Sequence, residues 1–319
     1  MANRPNVGQH VVPECYLKHF GGADGTIHVQ EKATGRIFPS GPDGLCKERE
    51  IYTLIVDGKR NFSFESINND IESALGPILK ELRERVDLNS DDAKRRIFTY
   101  LATLTANLIA RSRVLRAYME SSLDHINMFL SEHPEFFDGF PEDEYQQFLQ
   151  NPQAYPELLQ RFPGGTKYLG ILRDWNEQNP TASVIEDTIE CLKTVKGLHY
   201  QVLLKARTGA TAELMVEIGA KADLLTTDIP RFISGDDPVI FLTNGLRETK
   251  IVPTNVRHWT TANRGVYLPL NPNTAVLWSA EGNYSARSIS PDDVRRYNEL
   301  VKQNAIRHVI ASDCSDLST

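Results

Sequence analysis

The hydrophobic period of this chain changes twice along its length, and that order constrains the fold more than any other feature. Residues 11–64 carry short alternating runs broken by turn residues. Ile27-His28-Val29-Gln30 and Arg36-Ile37-Phe38 flank Ala33-Thr34-Gly35, a hairpin pattern. Ile51-Tyr52-Thr53-Leu54-Ile55-Val56 closes on Asp57-Gly58, which suits a tight turn, with Asn61-Phe62-Ser63-Phe64 returning. From Ile67 the period lengthens to that of a helix through Ile71, Leu75, Ile78, Leu79, Leu82 and Val86. Gly76-Pro77 interrupts it and predicts a kink or two helices in series. Ser90-Asp91-Asp92 reads as the cap of a long helix over 91–117, striped by Ile97, Leu101, Leu104, Leu108 and Leu115. Further helical patches follow over 118–132 and 183–206.

The last third returns to strand patterns at Leu214–Ile218, Leu224-Leu225, Phe232-Ile233, Val239–Leu242, Val266–Leu270 and Ala275–Trp278. Ser290-Pro291-Asp292-Asp293 starts a helix, with proline at its first position and acids in its first turn. Arg307–Ala311 reads as a final strand. Strands, then helices, then strands argue an α+β fold rather than regular alternation. The expected arrangement places N-terminal and C-terminal strands in a mixed or antiparallel sheet around a central helical bundle. The chain reads as one interwoven domain over 1–319. The stretch 133–181, rich in Pro, Gly, Gln and aromatics, reads as a helical and loop insertion.

Composition removes several classes. The 319 residues hold 35 Lys+Arg against 42 Asp+Glu, a net charge of 35 − 42 = −7, with 40% hydrophobic and 24% charged residues. Those proportions exclude global disorder, collagen and coiled coil. The acidic balance argues against a global electrostatic grip on nucleic acid but leaves room for a local basic channel. No apolar run approaches the ~20 residues needed to span a bilayer, so no membrane partner is expected. The N-terminus lacks the apolar segment of a secretory signal. Cys15, Cys46, Cys191 and Cys314 form no C-x-x-C pair, which points to reduced thiols in a cytoplasmic protein. Cys15 reads as a small buried hydrophobe rather than a nucleophile.

Four segments could carry chemistry. The first is Gln9-His10-Val11-Val12-Pro13-Glu14-Cys15-Tyr16-Leu17-Lys18-His19-Phe20. His10 suits a metal ligand or general acid/base, because its ordinary pKa lies near neutrality. The plainer alternative is a histidine bonded to backbone while Tyr16, Leu17 and Phe20 enter the core. The second is Glu65-Ser66-Ile67-Asn68-Asn69-Asp70-Ile71-Glu72. Glu65 and Glu72 share a helical face with Asn68 or Asn69, but their Cα atoms are ~10 Å apart. That is long for two ligands of one ion, so one carboxylate could bind metal while the other pairs with a cation. A solvated acidic face at a helix N-terminus is the alternative.

The third is Arg111, at a position that the stripe reserves for leucine. A buried arginine needs a partner, and Glu72 is a natural one. Alternatively the buried stretch ends near 110, leaving Arg111, Arg113 and Arg116 solvated. The fourth is Phe232-Ile233-Ser234-Gly235-Asp236-Asp237-Pro238-Val239. Carboxylates at a rigid strand end suit a metal or general base, although Asp and Pro are also plain turn formers.

No P-loop, G-x-G-x-x-G after a strand, H-E-x-x-H or G-x-S-x-G occurs, which argues against the corresponding NTPase, Rossmann dehydrogenase, zincin and α/β-hydrolase readings. Arg247, Lys250, Arg257, His258 and Arg264 surround Trp259, a mixture that suits single-stranded nucleic acid as well as an ordinary solvated face.

These segments, in this order, resemble the DUF4238 family of uncharacterised proteins. The resemblance rests on His10-Val11-Val12-Pro13 through Phe20, on Glu65 through Glu72 with Gly76-Pro77-Ile78-Leu79, and on Arg111. It continues through Phe232–Val239, Val266-Tyr267-Leu268-Pro269-Leu270-Asn271-Pro272 and Asn298. Gly235-Asp236-Asp237 stands where the family more often has Ser-Asp-Asn, so Asp237 adds a carboxylate to the turn. The resemblance implies membership and no activity. It singles out His10, Glu72, Arg111 and Asp236 as recurrent polar residues.

The leading functional expectation is a divergent metal-dependent hydrolase, a nuclease-like effector of bacterial or phage defence. His10 would act as base or ligand, and Glu65, Glu72, Asp236 and Asp237 as ligands to Mg²⁺ or Mn²⁺. Arg111 would hold a carboxylate or phosphate, and Arg247, Lys250, Arg257 and Arg264 would meet a nucleic acid or nucleotide. The second expectation is a non-catalytic binding or interaction protein with a buried His–Glu–Arg–Asp network. The third is a nucleotide or small-ligand sensor.

Overall fold

The computed structural model describes residues 8–49, 51–56, 59–61, 63–84, 88–113, 221–229, 231–243, 247–248 and 264–318, with Gln147, Asn151 and Ala154. For 54–56, 59–61, 63–67, 243, 247–248 and 264 the description covers the backbone. The helices expected over 118–132 and 183–206, the strand at 214–218 and almost all of the 133–181 stretch lie outside the described residues. The chain divides into two compact units. One comprises Met1–Ile51, Ser63–Arg113 and Ala206–Thr319; the other comprises Tyr52–Phe62 and Val114–Lys205.

In chain order the strands of the first unit are β1 (Gly8–His10), β2 (Ile27–Glu31), β3 (Ile37–Ser40) and β4 (Lys47–Arg49). The second unit contains β5 (Leu54–Val56) and β6 (Lys59–Asn61). The first unit continues with β7 (Lys221–Thr226), β8 (Ser234–Gly235), β9 (Ile240–Thr243) and β10 (Arg247–Glu248). It ends with β11 (Arg264–Asn271), β12 (Thr274–Ser279), β13 (Ser285–Ser288) and β14 (His308–Ala311). The α-helices are α1 (Glu14–Leu17), α2 (Ser63–Glu84), α3 (Asp91–Arg111) and α4 (Pro291–Asn304). The chain is α+β, as its changing period predicts. No helix among the described residues is long and apolar enough to cross a membrane.

A six-stranded sheet runs in the order β10-β9-β11-β12-β7-β13, antiparallel except for the parallel β13–β7 pair. Residues of β11 alternate between two cores, because successive strand side chains point to opposite faces. Val266, Leu268 and Leu270 join a core with Leu79, Leu82, Ile97, Leu101 and Leu104 of α2 and α3. Tyr267 joins a second core with Val294, Tyr297 and Val301 of α4. Helices therefore cover both faces of this sheet. Trp278 Nε1 donates to Thr105 Oγ1 at 3.2 Å, tying β12 to α3.

A second sheet, β3-β2-β14-β8, joins the two ends of the chain. The β2–β3 hairpin keeps Gln30 opposite Ile37, and β14 lies antiparallel to β2 with Ile310 opposite Val29. Lys32 Nζ donates to the Gln303 and Ala305 carbonyls at the C-terminal end of α4, where the helix dipole favours a cation. β1 pairs with β4 in a two-stranded ribbon. In the second unit, β5 and β6 pair antiparallel with Val56 opposite Lys59, and the Asp57-Gly58 turn expected between them lies outside the described residues.

Three sequence expectations change. Gly76-Pro77 does not split the helix: α2 is one element of 22 residues with Pro77 inside it. Proline removes the bond to the Ser73 carbonyl, but Ser73 and Pro77 are both exposed, so water can serve that carbonyl. Ser63 and Phe64 begin α2 instead of extending the returning strand. The long central helix keeps its Ser90 cap, whose hydroxyl accepts from the Ala93 amide, but it ends at Arg111, with Ser112 in an extended conformation (ψ 135).

Candidate functional site

The N-terminal segment is anchored before its histidine is placed. Val11, Val12, Tyr16, Leu17 and Phe20 are buried. The Tyr16 hydroxyl donates to the Pro269 carbonyl at 2.6 Å and lies 2.8 Å from Ser234 Oγ. That pair of bonds fixes α1 against β11 and β8. The Val11 amide donates to the Cys46 carbonyl at 2.8 Å, and β1 holds His10 opposite Lys47 and Gln9 opposite Glu48. His10 thus ends a short ribbon with its carbonyl aimed at α3.

That carbonyl accepts a hydrogen bond from Arg111 Nη2. Arg111 Nη1 donates to Glu72 Oε1 at 2.8 Å and to Asn107 Oδ1 at 3.4 Å. The Arg111 side chain is 2% exposed and that of Glu72 18%. The partner expected for a buried arginine is therefore the one found. Helical side chains lean toward the N-terminus of their helix, so Arg111 reaches back over Asn107, one turn earlier. Asn107 Nδ2 in turn donates to Asn68 Oδ1 at 3.5 Å. Asn68, Glu72, Asn107 and Arg111 form one polar seam between α2 and α3.

Burial lowers the pKa of His10 to about 4, with the nearby positive charge of Lys47 acting in the same direction. Its imidazole is neutral at pH 7. Burial raises the thiols of Cys15 and Cys46 to about 12, so both remain protonated. Cys15 behaves as the small hydrophobe expected of it.

Asp236 sits elsewhere, just after β8. Its amide donates to the His308 carbonyl at 3.2 Å. Its Oδ1 accepts from the Ile306 and Arg307 amides at 2.8 and 3.2 Å. Its Oδ2 accepts from the Arg307 amide at 3.0 Å and from Arg113 Nη1 at 2.5 Å. Arg113 Nε also donates to Glu48 Oε1 at 2.5 Å. Ser112 Oγ donates to Asp237 Oδ2 at 3.1 Å. Two consecutive residues past α3, Ser112 and Arg113, thus clasp two consecutive residues of the Asp236-Asp237 turn. Burial pushes the Asp237 carboxyl up to about 7; the Ser112 hydrogen bond opposes that shift and the Asp236 charge adds to it.

The end of α4 completes the turn. Asn304 Nδ2 donates to the Asp237 and Val239 carbonyls at 2.6 and 3.2 Å. Asn298 accepts from the Ile233 amide at 3.2 Å and donates to the Arg231 carbonyl at 2.8 Å. Gly235 is needed where it stands, because a Cβ there would lie 2.9 Å from Ala305 Cβ.

The residues singled out in the sequence fall into two groups. His10, Glu72 and Arg111 meet around the Arg111 guanidinium. Asp236 and Asp237 meet Arg113 and Ser112. The contiguous run Arg111-Ser112-Arg113 and the β1–β4 ribbon join the groups. Glu65 lies in the first turns of α2, and its side chain is outside the described residues, as are Lys250 and Arg257. Arg247 and Arg264 lie on β10 and β11, described in backbone only. Arg113 and Glu48 were not singled out as site residues. Their only signal is charge, an arginine two residues from Arg111 and a glutamate in a short polar strand.

No curated protein and no solved structure matches this chain. A family model does: DUF4238, a protein of unknown function, matches residues 8–315. That match covers nearly the whole chain, and the chain belongs to the DUF4238 family.

Proposed function

We propose that this chain is a non-catalytic binding protein in which the Glu72–Arg111 and Glu48–Arg113–Asp236 pairs are architecture. The observation that carries this reading is the Asp236 carboxylate. Both of its oxygens already accept hydrogen bonds from amides or a guanidinium, and its side chain has 0% exposure. A hard cation needs carboxylate lone pairs directed at it, and those of Asp236 are spent inside the fold. Among the described residues, no group of three or more His, Cys, Asp or Glu side chains is gathered as a metal would require. A satisfied polar network of this kind specifies one arrangement of the elements it joins.

The test combines stability with turnover. Asp236→Asn and Glu72→Gln are melted beside the parent protein. The parent is titrated with Mg²⁺ and Mn²⁺ by calorimetry and incubated with plasmid DNA, RNA and nucleotides. The expected result is a large fall in Tm for Asp236→Asn, no metal heat and no turnover. Turnover by the parent that Asp236→Asn loses at unchanged Tm would overturn the architectural role.

A metal-dependent, nuclease-like hydrolase is the second reading, and His10 with Glu72 favours it. The neutral His10 imidazole can take a proton or a metal. Glu72 bonds Arg111 through one oxygen and keeps some exposure. Mg²⁺ or Mn²⁺ would then sit at Glu72, with nucleic acid held by the basic residues 247–264. The same incubation decides it. A nucleotide sensor would need a phosphate contact other than Arg111, whose guanidinium is committed to Glu72, Asn107 and His10.

A further inference from the structure

The sheet β3-β2-β14-β8 treats its two edges differently. At one edge Ser234 and Gly235 of β8 are buried, and the Asp236 amide beside them donates to the His308 carbonyl. At the other edge β3 is open: Ile37 and Pro39 are exposed, with Phe38 and Ser40 partly buried. An uncovered edge strand offers N–H and C=O groups that template the addition of another strand.

Register fixes which groups β3 offers. In an antiparallel pair, hydrogen-bonded and non-hydrogen-bonded residues alternate. The Glu31 amide donates to the Arg36 carbonyl at 2.9 Å, and the Lys32 amide to the Arg307 carbonyl at 2.8 Å. Odd-numbered residues of β2 therefore bond toward β3, and even-numbered ones toward β14. Val29 lies opposite Phe38 and Ile27 opposite Ser40, so Phe38 and Ser40 turn their backbone groups inward. Ile37 and Pro39, opposite Gln30 and His28, turn theirs outward. Proline has no N–H, and its ring fills the place where the hydrogen would be. The outer edge of β3 thus presents the Ile37 amide and no donor at position 39.

We propose that Pro39 guards this edge, stopping a second copy of the chain from adding its own β3 to the sheet. The pairing it blocks is two-fold and self-complementary, with Phe38 opposite the same residue of the second copy. In that register the Ile37 amide of each copy donates to the Pro39 carbonyl of the other. The return bond, from residue 39 to the Ile37 carbonyl, is missing on both copies, and the proline ring stands against the incoming strand. The side chains alone favour the pairing. Ile37, 36% exposed, would lie opposite residue 39, and the two Phe38 rings opposite each other. What keeps the edge closed is therefore the backbone at position 39. The guard needs no ligand and stands apart from the binding reading above.

The test uses the full-length protein as Pro39→Val and, separately, Pro39→Ala, both of which restore the amide. Sedimentation velocity over a wide range of protein concentration reads self-association beside the parent, and thermal melting checks the fold. The expected result is self-association strengthened about tenfold or more in Pro39→Val, the scale of the recovered ladder bonds. Adding Ile37→Lys places a charge on the same edge and is expected to return Pro39→Val to the parent's behaviour. Pro39→Ala, the smaller change, decides if Pro39→Val does not fold. Folded variants that associate no more than the parent overturn the proposal. So does association that Ile37→Lys leaves in place, because it then runs through another surface. Failure of both variants to fold overturns it too, since a guard on an exposed edge is dispensable for the fold.

Discussion

Arg113 Nη1 stands 2.5 Å from Asp236 Oδ2, and neither side chain is more than 9% exposed. The same guanidinium holds Glu48 through Nε. One residue beyond α3 thereby ties together β4 and the turn after β8. Removing one member of a buried ion pair leaves the other uncompensated, at a cost of about 3–5 kcal/mol. Arg113→Met is expected to lose that much in urea denaturation. The double variant Arg113→Met/Asp236→Asn is expected to recover part of it, because the buried negative charge goes too. A single variant as stable as its parent would show that the pair contributes nothing.

Arg111 makes a different demand. Its planar fork reaches Glu72, Asn107 and the His10 carbonyl at once. A lysine offers one compact charge and cannot span three acceptors. Arg111→Lys is expected to cost about 2–3 kcal/mol, since at least one buried acceptor loses its donor. The loss is read by thermal or chemical denaturation. A cost below about 0.5 kcal/mol, the scale of an ordinary surface change, would sink the assignment.

These contacts mark what the sequence could and could not reveal. Arg111 was legible because it breaks a leucine stripe, and a charge at an apolar position asks for a partner. The strands of β2, β3, β11 and β12 were legible from alternation and turn residues. Arg113 was not, because it lies just past the helix and both of its partners come from distant segments. Asp236 read either as a metal or general-base carboxylate or as a plain turn former, whereas its donors are Arg113 and the backbone amides at 306 and 307. Backbone amides carry no side-chain signature. Pro77 misled because its effect depends on whether the freed carbonyl faces water, which is a property of the packing.

Gly235 tests how closely the Asp236 turn approaches the end of α4. A Cβ at that position meets Ala305 Cβ at 2.9 Å, with Ala305 itself buried. Gly235→Ala is expected to lose about 1–3 kcal/mol, as overpacked cores do. Adding Ala305→Gly to Gly235→Ala removes the clashing methyl and should restore part of the loss. If the two substitutions instead lower Tm additively, the contact is not the cause.

Asp237 gives the stability a pH dependence of definite sign. Its pKa rises from an ordinary 3.8 to about 7, chiefly by burial. The groups facing it are Ser112 and Arg113 past α3 and Asp236 in its own turn. Between pH 4 and 7 the folded chain keeps this proton while the unfolded chain has released it. Folded stability contributed by this group is therefore fully present below pH 4, falls as the pH rises to 7, and is flat above. The slope from this group is on the order of 1 kcal/mol per pH unit. Asp237→Asn removes the titration, so its stability relative to the parent should climb from pH 4 to pH 7 and then level off. Urea denaturation of both proteins at pH 4.5, 6 and 8 reads this directly, and parallel profiles would show that Asp237 does not titrate in this window.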